Sequence, residues 1–263
     1  MLHRCFTYAK QQKGMKILKN DFEEQYPLSQ KIIRAVGEAV RDFDMINEDD
    51  RIMIGLSGGK DSLVLSLALA VLKKRSPVKF HLSACIIDQS NGTMKTDEVL
   101  EFMNALNIPV LIETHSTYEI IEARDERSPC SLCANFRRGL LATAAKDSGC
   151  NVIALGHHKD DAAETVLLNL CYGGHFKCFR PNMFMTRTQL RVIRPLIYAE
   201  ERNIALEAER LALPVTTSCC PYGADTKRIT AKKLLEEIAK EVPMIKSNII
   251  HALKNCSESE SWK

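Results

Sequence analysis

The sequence predicts an α/β protein in which a parallel sheet is flanked by helices. Short apolar segments alternate with helical segments of about 10 to 15 residues, a pattern typical of parallel sheets that are covered on both faces. Three polar loops each follow a predicted strand, and such sheets bind ligands outside the carboxyl ends of their strands. With 263 residues and 45% hydrophobic content, the chain can bury a substantial core.

The predicted elements follow one another in regular order. A helix over 28–43, whose apolar residues recur at helical spacing, precedes a strand over 51–56. Further strands are predicted over 80–88, 109–114 and 151–156, and further helices over 61–72, 96–106, 131–146 and 160–170. The pattern then weakens to an extended pair over 184–197, a helix over 199–211, a short strand over 214–217 and a helix over 226–240. We therefore expect an N-terminal extension (1–27), a main domain (28–218) that begins with the N-terminal helix, and a C-terminal helical extension that contains cysteines (219–263).

A glycine-rich loop links the first strand to the next helix. It reads Ser57-Gly58-Gly59-Lys60-Asp61-Ser62, in which two glycines let backbone N–H groups face an anion at a helix N-terminus and Lys60 adds a full charge. A Walker loop would have Ser or Thr directly after the lysine. Asp61 stands there instead, and its carboxylate would repel phosphate unless a metal ion bridged the two, so we infer Mg²⁺ beside it. The alternative is a plain turn before a helix.

A second polar loop, Gly156-His157-His158-Lys159-Asp160-Asp161, also follows a strand and opens a helix. Gly156 would let a nucleotide approach, with Asp161 facing the glycine-rich loop. Two histidines and two carboxylates also suggest a metal site, but the side chains of adjacent histidines diverge. For His157, a hydrogen bond at the helix entry is as good an interpretation as catalysis. Gly55, Leu56, Ile87 and Asp88, at the ends of the first two strands, are expected to border the nucleotide.

The cysteine content favours metal or redox chemistry over disulfides. No segment approaches the roughly 20 apolar residues of a membrane helix, and residues 1–20 do not resemble a secretory signal. A cytoplasmic enzyme without a membrane partner is therefore the expectation. Ten cysteines in such a chain indicate a metal or redox role for any clustered subset.

Two pairs of cysteines are clustered. Cys130 and Cys133 open a helix at a spacing used by zinc, iron–sulfur and redox sites alike. Their candidate partners are Cys219 and Cys220, which as neighbours in extended backbone point opposite ways and so provide one ligand rather than two. Three thiolates suit an iron–sulfur cluster with one open iron better than a structural zinc site, which normally has four ligands.

A stretch without acidic residues lies near the end of the second polar loop's helix. Net charge is only +3, but residues 175–199 contain no Asp or Glu. The basic residues in this stretch are Lys177, Arg180, Arg187, Arg191 and Arg194. Such a stripe is typical of a surface that contacts phosphates, and a solvated hairpin is the alternative interpretation.

The glycine-rich loop resembles the PP-loop of the N-type ATP pyrophosphatases. The chain as a whole resembles the tRNA 2-thiocytidine synthetases of that superfamily, enzymes that thiolate a cytidine in the tRNA anticodon loop. The matching stretches are 57–62, 130–133 with Arg137-Arg138-Gly139, 156–161, 169–174 and 192–196. They span most of the chain.

The resemblance implies an adenine-nucleotide alpha-hydrolase-like fold, with residues 28–218 as a PP-loop ATPase domain that splits ATP to AMP and pyrophosphate. The implied cofactors are ATP, Mg²⁺ and a [4Fe-4S] cluster on Cys130, Cys133 and one of the adjacent cysteines. Counting back from Lys227-Arg228 favours Cys220, although the family pattern separates the cysteines of that second pair by two residues. Candidate catalytic residues are Asp61, Asp161, Arg137 and Arg138. The implied partners are tRNA and a cysteine desulfurase or other sulfide donor, and a homodimer is left open.

Several alternatives share part of this pattern. The wobble-uridine thiolases resemble the chain less well, because they carry zinc-binding Cys/His pairs at both ends, where this chain has only His3 with Cys5 and His251 with Cys256. A lysidine-type or amidating PP-loop ligase would need the glycine-rich loop but not the cysteines. A sulfur transfer to another acceptor and a non-catalytic tRNA- or metal-binding module also remain open.

Overall fold

A computed structural model describes residues 21–90, 92, 94–123, 129–216 and 226–255. Its strands are β1 (Asp50–Gly55), β2 (Phe80–Asp88), β3 (Val110–Thr114), β4 (Val152–Ala154), β5 (Asn182–Met185) and β6 (Leu190–Ile193). They form one six-stranded sheet in the order β3-β2-β1-β4-β6-β5. Every neighbouring pair is parallel except β5 and β6, which are antiparallel at the edge. The predicted fold class is confirmed.

Helices of the described residues cover both faces of this sheet. They are α1 (Phe22–Gln25), α2 (Gln30–Asp42), α3 (Lys60–Arg75), α4 (Asp97–Ala105), α5 (Thr117–Ala123), α6 (Pro129–Asp147), α7 (Lys159–Leu168), α8 (Glu201–Arg210), α9 (Thr226–Glu241) and α10 (Ile245–Asn255). The helix α7 continues into a π-helical turn, Asn169–Gly173. None of the helices in the described part of the chain has the length and apolar character needed to cross a bilayer.

The core lies on both sides of the sheet because side chains alternate along each strand. In β1, Ile52 and Ile54 join the larger apolar cluster with α2, α3 and α8. Met53, between them, points to the opposite face and joins a smaller cluster with α6. Residues Ser62 to Val71 of α3 are all buried, so this helix is enclosed and holds the loop before it firmly.

The strand order reverses between β1 and β4. From β1 the chain moves outward through β2 to β3, and then returns to β4 on the other side of β1. It next forms β5 at the edge of the sheet and turns back into β6, beside β4. Ile54 of β1 is paired with Ala154 of β4, so the loops that follow these two strands leave the sheet side by side. Such a reversal opens a crevice at the carboxyl ends of the strands, where open α/β sheets bind ligands.

Two sequence predictions of secondary structure need correction. The short strand expected over 214–217 is absent from the described part, 214–216, because the N–H of Thr216 donates to the carbonyl of Gly58 at 2.9 Å instead of to a neighbouring strand. The helix expected over 160–170 changes to π geometry at Asn169. The structure also adds α1 and α5, which the sequence patterns did not predict, and places α10 as a second helix in the predicted C-terminal helical extension.

Candidate functional site

The glycine-rich loop after β1 is tightly closed by its own serines. The N–H of Ser57 donates to Ser62 Oγ at 3.2 Å, and Ser62 Oγ donates to the carbonyl of Gly59 at 2.9 Å. Gly58 has a φ of +76°, and a Cβ there would lie 2.1 Å from Thr216 Oγ1. Only glycine fits this position, since both the backbone conformation and the close approach of Thr216 exclude a side chain.

Lys60, the first residue of α3, is held by two carboxylates. Its Nζ lies 3.3 Å from Asp61 Oδ1 and 3.2 Å from Glu201 Oε1 of α8. Burial works against the charge, but the two carboxylates outweigh it and raise the pKa of Lys60 above its ordinary value. Glu201 also accepts a hydrogen bond from Lys232 of α9 at 2.6 Å. Burial opposes ionisation of Glu201 too, yet the two lysines lower its pKa to about 2.

Asp61 lies where the two polar loops meet. A Cβ on Gly156 would lie 3.1 Å from the carbonyl carbon of Asp61 and 3.3 Å from its Cβ, so Gly156 allows the loops to touch. Asp61 Oδ1 is buried and accepts no hydrogen bond within the described structure, although His158 Nε2 lies 3.7 Å away. A buried carboxylate oxygen without a hydrogen bond, beside a phosphate cradle, fits a bound cation such as Mg²⁺.

His158 and Asp161 form a reciprocal cap at the start of α7. The N–H of His158 donates to Asp161 Oδ2 at 2.9 Å, and the N–H of Asp161 donates to His158 Nδ1 at 3.4 Å. Because Nδ1 accepts, a neutral imidazole carries its proton on Nε2, which lies 3.4 Å from Asp161 Oδ2. The helix-entry hydrogen bond considered for His157 therefore belongs to His158.

Arg228 of α9 completes the charge pattern around Asp161. Its guanidinium donates to Asp161 Oδ1 at 2.5 Å and to Glu164 Oε2 at 2.9 Å. Burial raises the pKa of Glu164 above its ordinary value even though Arg228 opposes the shift. Neither this contact nor the one between Glu201 and Lys60 was predicted from the sequence. No local pattern indicates them, because the partners are far apart along the chain.

At the end of β2, next to β1 in the sheet, the carboxylate of Asp88 already has hydrogen-bond partners. Its carboxylate accepts from the N–H of Ser90 at 2.9 Å and from the N–H of Gly92 at 2.9 Å. Burial opposes ionisation, but these hydrogen bonds keep the pKa of Asp88 below its ordinary value. Asp88 therefore shapes the loop that follows β2. Ile87, Gly55 and Leu56 line the ends of the two central strands.

The structure places Cys130 and Cys133 in the first turn of α6, close to the end of β2. Cys130 is exposed, while Cys133 Sγ lies 3.3 Å from Gln89 Oε1 and the Gln89 amide donates to the Cys133 carbonyl at 3.2 Å. Cys219 and Cys220 lie outside the described residues. Among the residues that are described, no three His, Cys, Asp or Glu side chains are grouped so as to hold a metal ion. Two thiols at this spacing fit two ligands of a three-thiolate cluster.

Comparisons with known proteins agree with this geometry. The PP-loop domain family matches residues 28–213. The tRNA-cytidine(32) 2-sulfurtransferase of Pelobacter propionicus is 43% identical over 235 residues, which cover 88% of this chain and 87% of that protein. The enzyme of the same name from Geobacter sulfurreducens is 42% identical over 231 residues, covering 86% of this chain and 89% of the relative. The chain belongs to the tRNA-cytidine(32) 2-sulfurtransferase family.

Membership in this family makes the protein a sulfurtransferase and its glycine-rich loop a PP-loop, as the sequence resemblance predicted. A solved structure supports the fold independently: the U34-tRNA thiolase NcsA from Methanococcus maripaludis, determined with its [4Fe-4S] cluster. The two chains share 26% identity and superpose with a TM-score of 0.69, covering 86% of this chain and 80% of the other.

The basic stripe over 175–199 is only partly a surface, which corrects the sequence interpretation. Arg191 binds the buried carboxylate of Asp50 and the carbonyl of Met45, so it holds β6 to the start of β1. Arg194 is 7% exposed, donates to the carbonyl of Arg180 at 2.6 Å and lies over the Phe179 ring at 4.7 Å. The exposed members are Lys177, Arg180 and Arg187.

Arg194 and His157 form a buried pair beside this stripe. The rings of His157 and Phe179 are 5.0 Å apart, so Phe179 lies against both His157 and Arg194. Burial, and then the charge of Arg194, lower the pKa of His157 to about 4. A neutral imidazole packed in this way supports the loop after β4 rather than exchanging protons near neutral pH. Arg137 and Arg138 lie in the exposed part of α6, where Arg138 binds Asn135 at 2.7 Å. Burial, helped by the charge of Arg138, lowers the pKa of Arg194.

Proposed function

We propose that this protein replaces O2 of a cytidine in the tRNA anticodon loop with sulfur, in a reaction driven by ATP. The single observation that carries the proposal is a PP-loop whose Asp61 has a buried oxygen that accepts no hydrogen bond, although the Lys60 ammonium lies 3.3 Å away, beside the β1–β4 crevice. It occurs in a chain 43% identical to a protein named tRNA-cytidine(32) 2-sulfurtransferase. A cytidine carbonyl oxygen is a poor leaving group, and adenylation by ATP would convert it into a good one.

The PP-loop would hold the phosphates of ATP. Backbone N–H groups at the start of α3 and the ammonium of Lys60, the first residue of that helix, would both favour an anion. Ser57, Gly59 and Ser62 would line the same cradle. Gly55, Leu56, Ile87, Asp88 and Gly156 would border the adenosine, since they lie at the carboxyl ends of β1, β2 and β4.

Asp61 would bind Mg²⁺ together with phosphate oxygens. Mg²⁺ is usually held by one or two carboxylates plus substrate phosphates, so a single dedicated carboxylate is sufficient. When bound, the ion would neutralise phosphate charge that Asp61 otherwise repels. Lys60, 3.3 Å from the same carboxylate, would share that task.

Cys130, Cys133 and Cys220 would hold a [4Fe-4S] cluster, with Cys219 as the alternative third ligand. When bound, the cluster would supply hydrosulfide for the transfer. Gln89 positions Cys133 through two contacts, one to its carbonyl and one to its Sγ.

The remaining candidates would manage charge and protons on the cytidine. The base O2 would attack the α-phosphorus of ATP, pyrophosphate would leave, and sulfide would then displace AMP. Asp161, fixed by the His158 N–H and by Arg228, presents a carboxylate of constant orientation at this crevice. Arg137 and Arg138 of α6 would stabilise negative charge on the phosphates. A cysteine desulfurase or another sulfide donor would provide the sulfur.

Nucleoside analysis tests this proposal directly. Anaerobically prepared protein is incubated with tRNA, ATP and sulfide, and the tRNA is digested and examined by mass spectrometry. We expect 2-thiocytidine, formed only when ATP is present. Formation of 2-thiouridine would instead favour the second candidate, a uridine thiolase, which the likeness to the U34-tRNA thiolase supports. Absence of both products would overturn the proposal.

A matched pair of cysteine variants distinguishes the loss of a cluster ligand from nonspecific damage to the protein. Cys130→Ser should lose bound iron and product together. Cys171→Ser alters another exposed cysteine, located in the π-helical turn, and should retain its iron. Equal iron content in the two variants would contradict the assignment of Cys130 as a ligand.

A further inference from the structure

An exposed group of aromatic and basic residues lies where α7 ends and α9 begins. We call it the aromatic–basic surface, and its members are Tyr172, Phe176, Lys177, Arg180 and Lys227. Tyr172 is 57% exposed and Phe176 is 45% exposed, which is unusual for large aromatic side chains. None of these residues has a part in the proposed ATP or cysteine sites.

Local hydrogen bonds hold this surface in place. The π-helical turn ends at Gly174, whose φ of +64° reverses the chain. Asn169 then closes the loop from both sides: its amide donates to the Lys177 carbonyl at 2.7 Å, and its own carbonyl accepts from the His175 N–H at 3.1 Å. Tyr172 is therefore presented to solvent by a closed loop.

The charge around the aromatic rings is entirely positive along this part of the sequence. Lys227 Nζ lies 5.1 Å from the centroid of the Tyr172 ring. No Asp or Glu occurs between Glu164 and Glu200, and Lys177 and Arg180, which follow the two aromatic residues in the sequence, are both exposed. These cations would add little to the affinity of a protein partner with an apolar interface, whereas each of them would add to the affinity of a phosphate backbone.

The surface is continuous with the candidate site. Arg228, adjacent to Lys227 in α9, binds Asp161 and Glu164 of α7, the helix that leads directly to Tyr172. A nucleic acid whose target base reached Asp161 would therefore extend its neighbouring nucleotides across Tyr172.

We propose that the aromatic–basic surface docks unpaired RNA next to the modified nucleotide. One base stacks on Tyr172, and the backbone phosphates beside it contact Lys177, Arg180 and Lys227. Aromatic faces combined with a basic track are the usual means of binding single strands, because every base offers a face for stacking. The inference rests on the proposed tRNA substrate and specifies where its loop is held.

Binding of a fluorescent anticodon stem-loop RNA tests the surface in the full-length protein. Tyr172→Ala should weaken binding by about 5- to 100-fold, the range for loss of one stacked base, and Tyr172→Phe should restore most of it. Lys227→Ala should reduce the slope of log Kd against log salt concentration by about one, the change expected for loss of one phosphate contact. Tyr172→Ala should leave this slope unchanged. Phe184→Ala is the matched control, since Phe184 is 53% exposed on the edge strand β5.

Three results would overturn the inference: equal RNA binding by Tyr172→Ala and the parent, equal loss in Phe184→Ala, or a change in oligomeric state in place of RNA affinity. The last would show that the surface contacts a second copy of the chain. These outcomes differ from failure of the proposed function, in which the parent itself would form no thiolated nucleoside. Unchanged ATP affinity and melting temperature in every variant would confirm that the protein is intact.

Discussion

If Lys60 binds ATP phosphates as proposed, Glu201 competes with them for its ammonium, and neutralising Glu201 should tighten ATP binding. Glu201 Oε1 lies 3.2 Å from Lys60 Nζ, while its other oxygen accepts from Lys232 at 2.6 Å. In Glu201→Gln the carboxylate charge disappears with little change of shape. Lys60 then loses one of two negative neighbours, and less of its charge is neutralised before phosphate arrives.

The magnitude follows from the type of contact. A hydrogen bond to a charged group contributes about 1.5 to 3 kcal/mol, and the partial exposure of both side chains reduces this to about 1 kcal/mol through solvent screening. We therefore expect ATP affinity to rise about fivefold and the free energy of unfolding to fall by about 1 kcal/mol. Isothermal titration calorimetry with ATP and chemical denaturation measure the two quantities.

The control is Glu237→Gln, which removes an exposed carboxylate of α9 that pairs with Lys240 at 2.6 Å. It should change neither quantity. Weaker ATP binding in Glu201→Gln would refute the reasoning, because it would mean that Glu201 orients Lys60 towards the phosphates instead of competing with them.

The remaining predictions concern pH, the metal, the loop and the cluster. The pKa of Glu201 is about 2 in the folded protein, against an ordinary 4.5. Its contribution to the free energy of unfolding is therefore present above pH 4.5 and is lost as the pH falls towards 2. In Glu201→Gln, acid unfolding should lack this pH-dependent loss of stability. Asp61→Asn should abolish Mg²⁺-dependent formation of AMP, measured by chromatography. Its iron content should stay unchanged. Gly58→Ala should reduce the free energy of unfolding by roughly 2 kcal/mol or more in denaturant titrations. The double variant Gly58→Ala/Thr216→Ala should recover only the part that is due to the steric clash, because φ at residue 58 stays positive. Iron analysis should show loss of the cluster in Cys220→Ala and its retention in Cys219→Ala; the reverse would make Cys219 the ligand.

The corrected basic stripe changes how RNA binding should be tested. Arg191 and Arg194 are committed to contacts inside the protein, so their replacement would damage the fold near β6. The exposed cations of the same stretch, Lys177, Arg180 and Arg187, are the appropriate targets. Charge along the sequence predicted a phosphate-binding region, but it could not distinguish a cation that faces solvent from one that packs inside.

Much of the fold could be predicted because its signals are local. Alternation of strands and helices follows from apolar spacing within each segment, and the β2 bounds, Phe80–Asp88, agree with the predicted 80–88. The two polar loops were also recognisable, since glycines and a lysine between a strand and a helix indicate an anion site by themselves. The prediction failed at 214–216, where a contact with Gly58 takes the place of strand pairing.

Tertiary structure alone decided which charges meet at the site. Lys60 and Glu201 are 141 residues apart in the chain, and Asp161 and Arg228 are 67 apart. Such pairs arise when α8 and α9 fold back onto the loops after β1 and β4, and no periodicity or motif within either segment records that approach. The sequence by itself determined the strand and helix segments, the glycine-rich loop and the cysteine pair, because each depends on neighbouring residues. The partners that hold Lys60 and Asp161 depend on the packing of distant segments, so they could be read only from the folded chain.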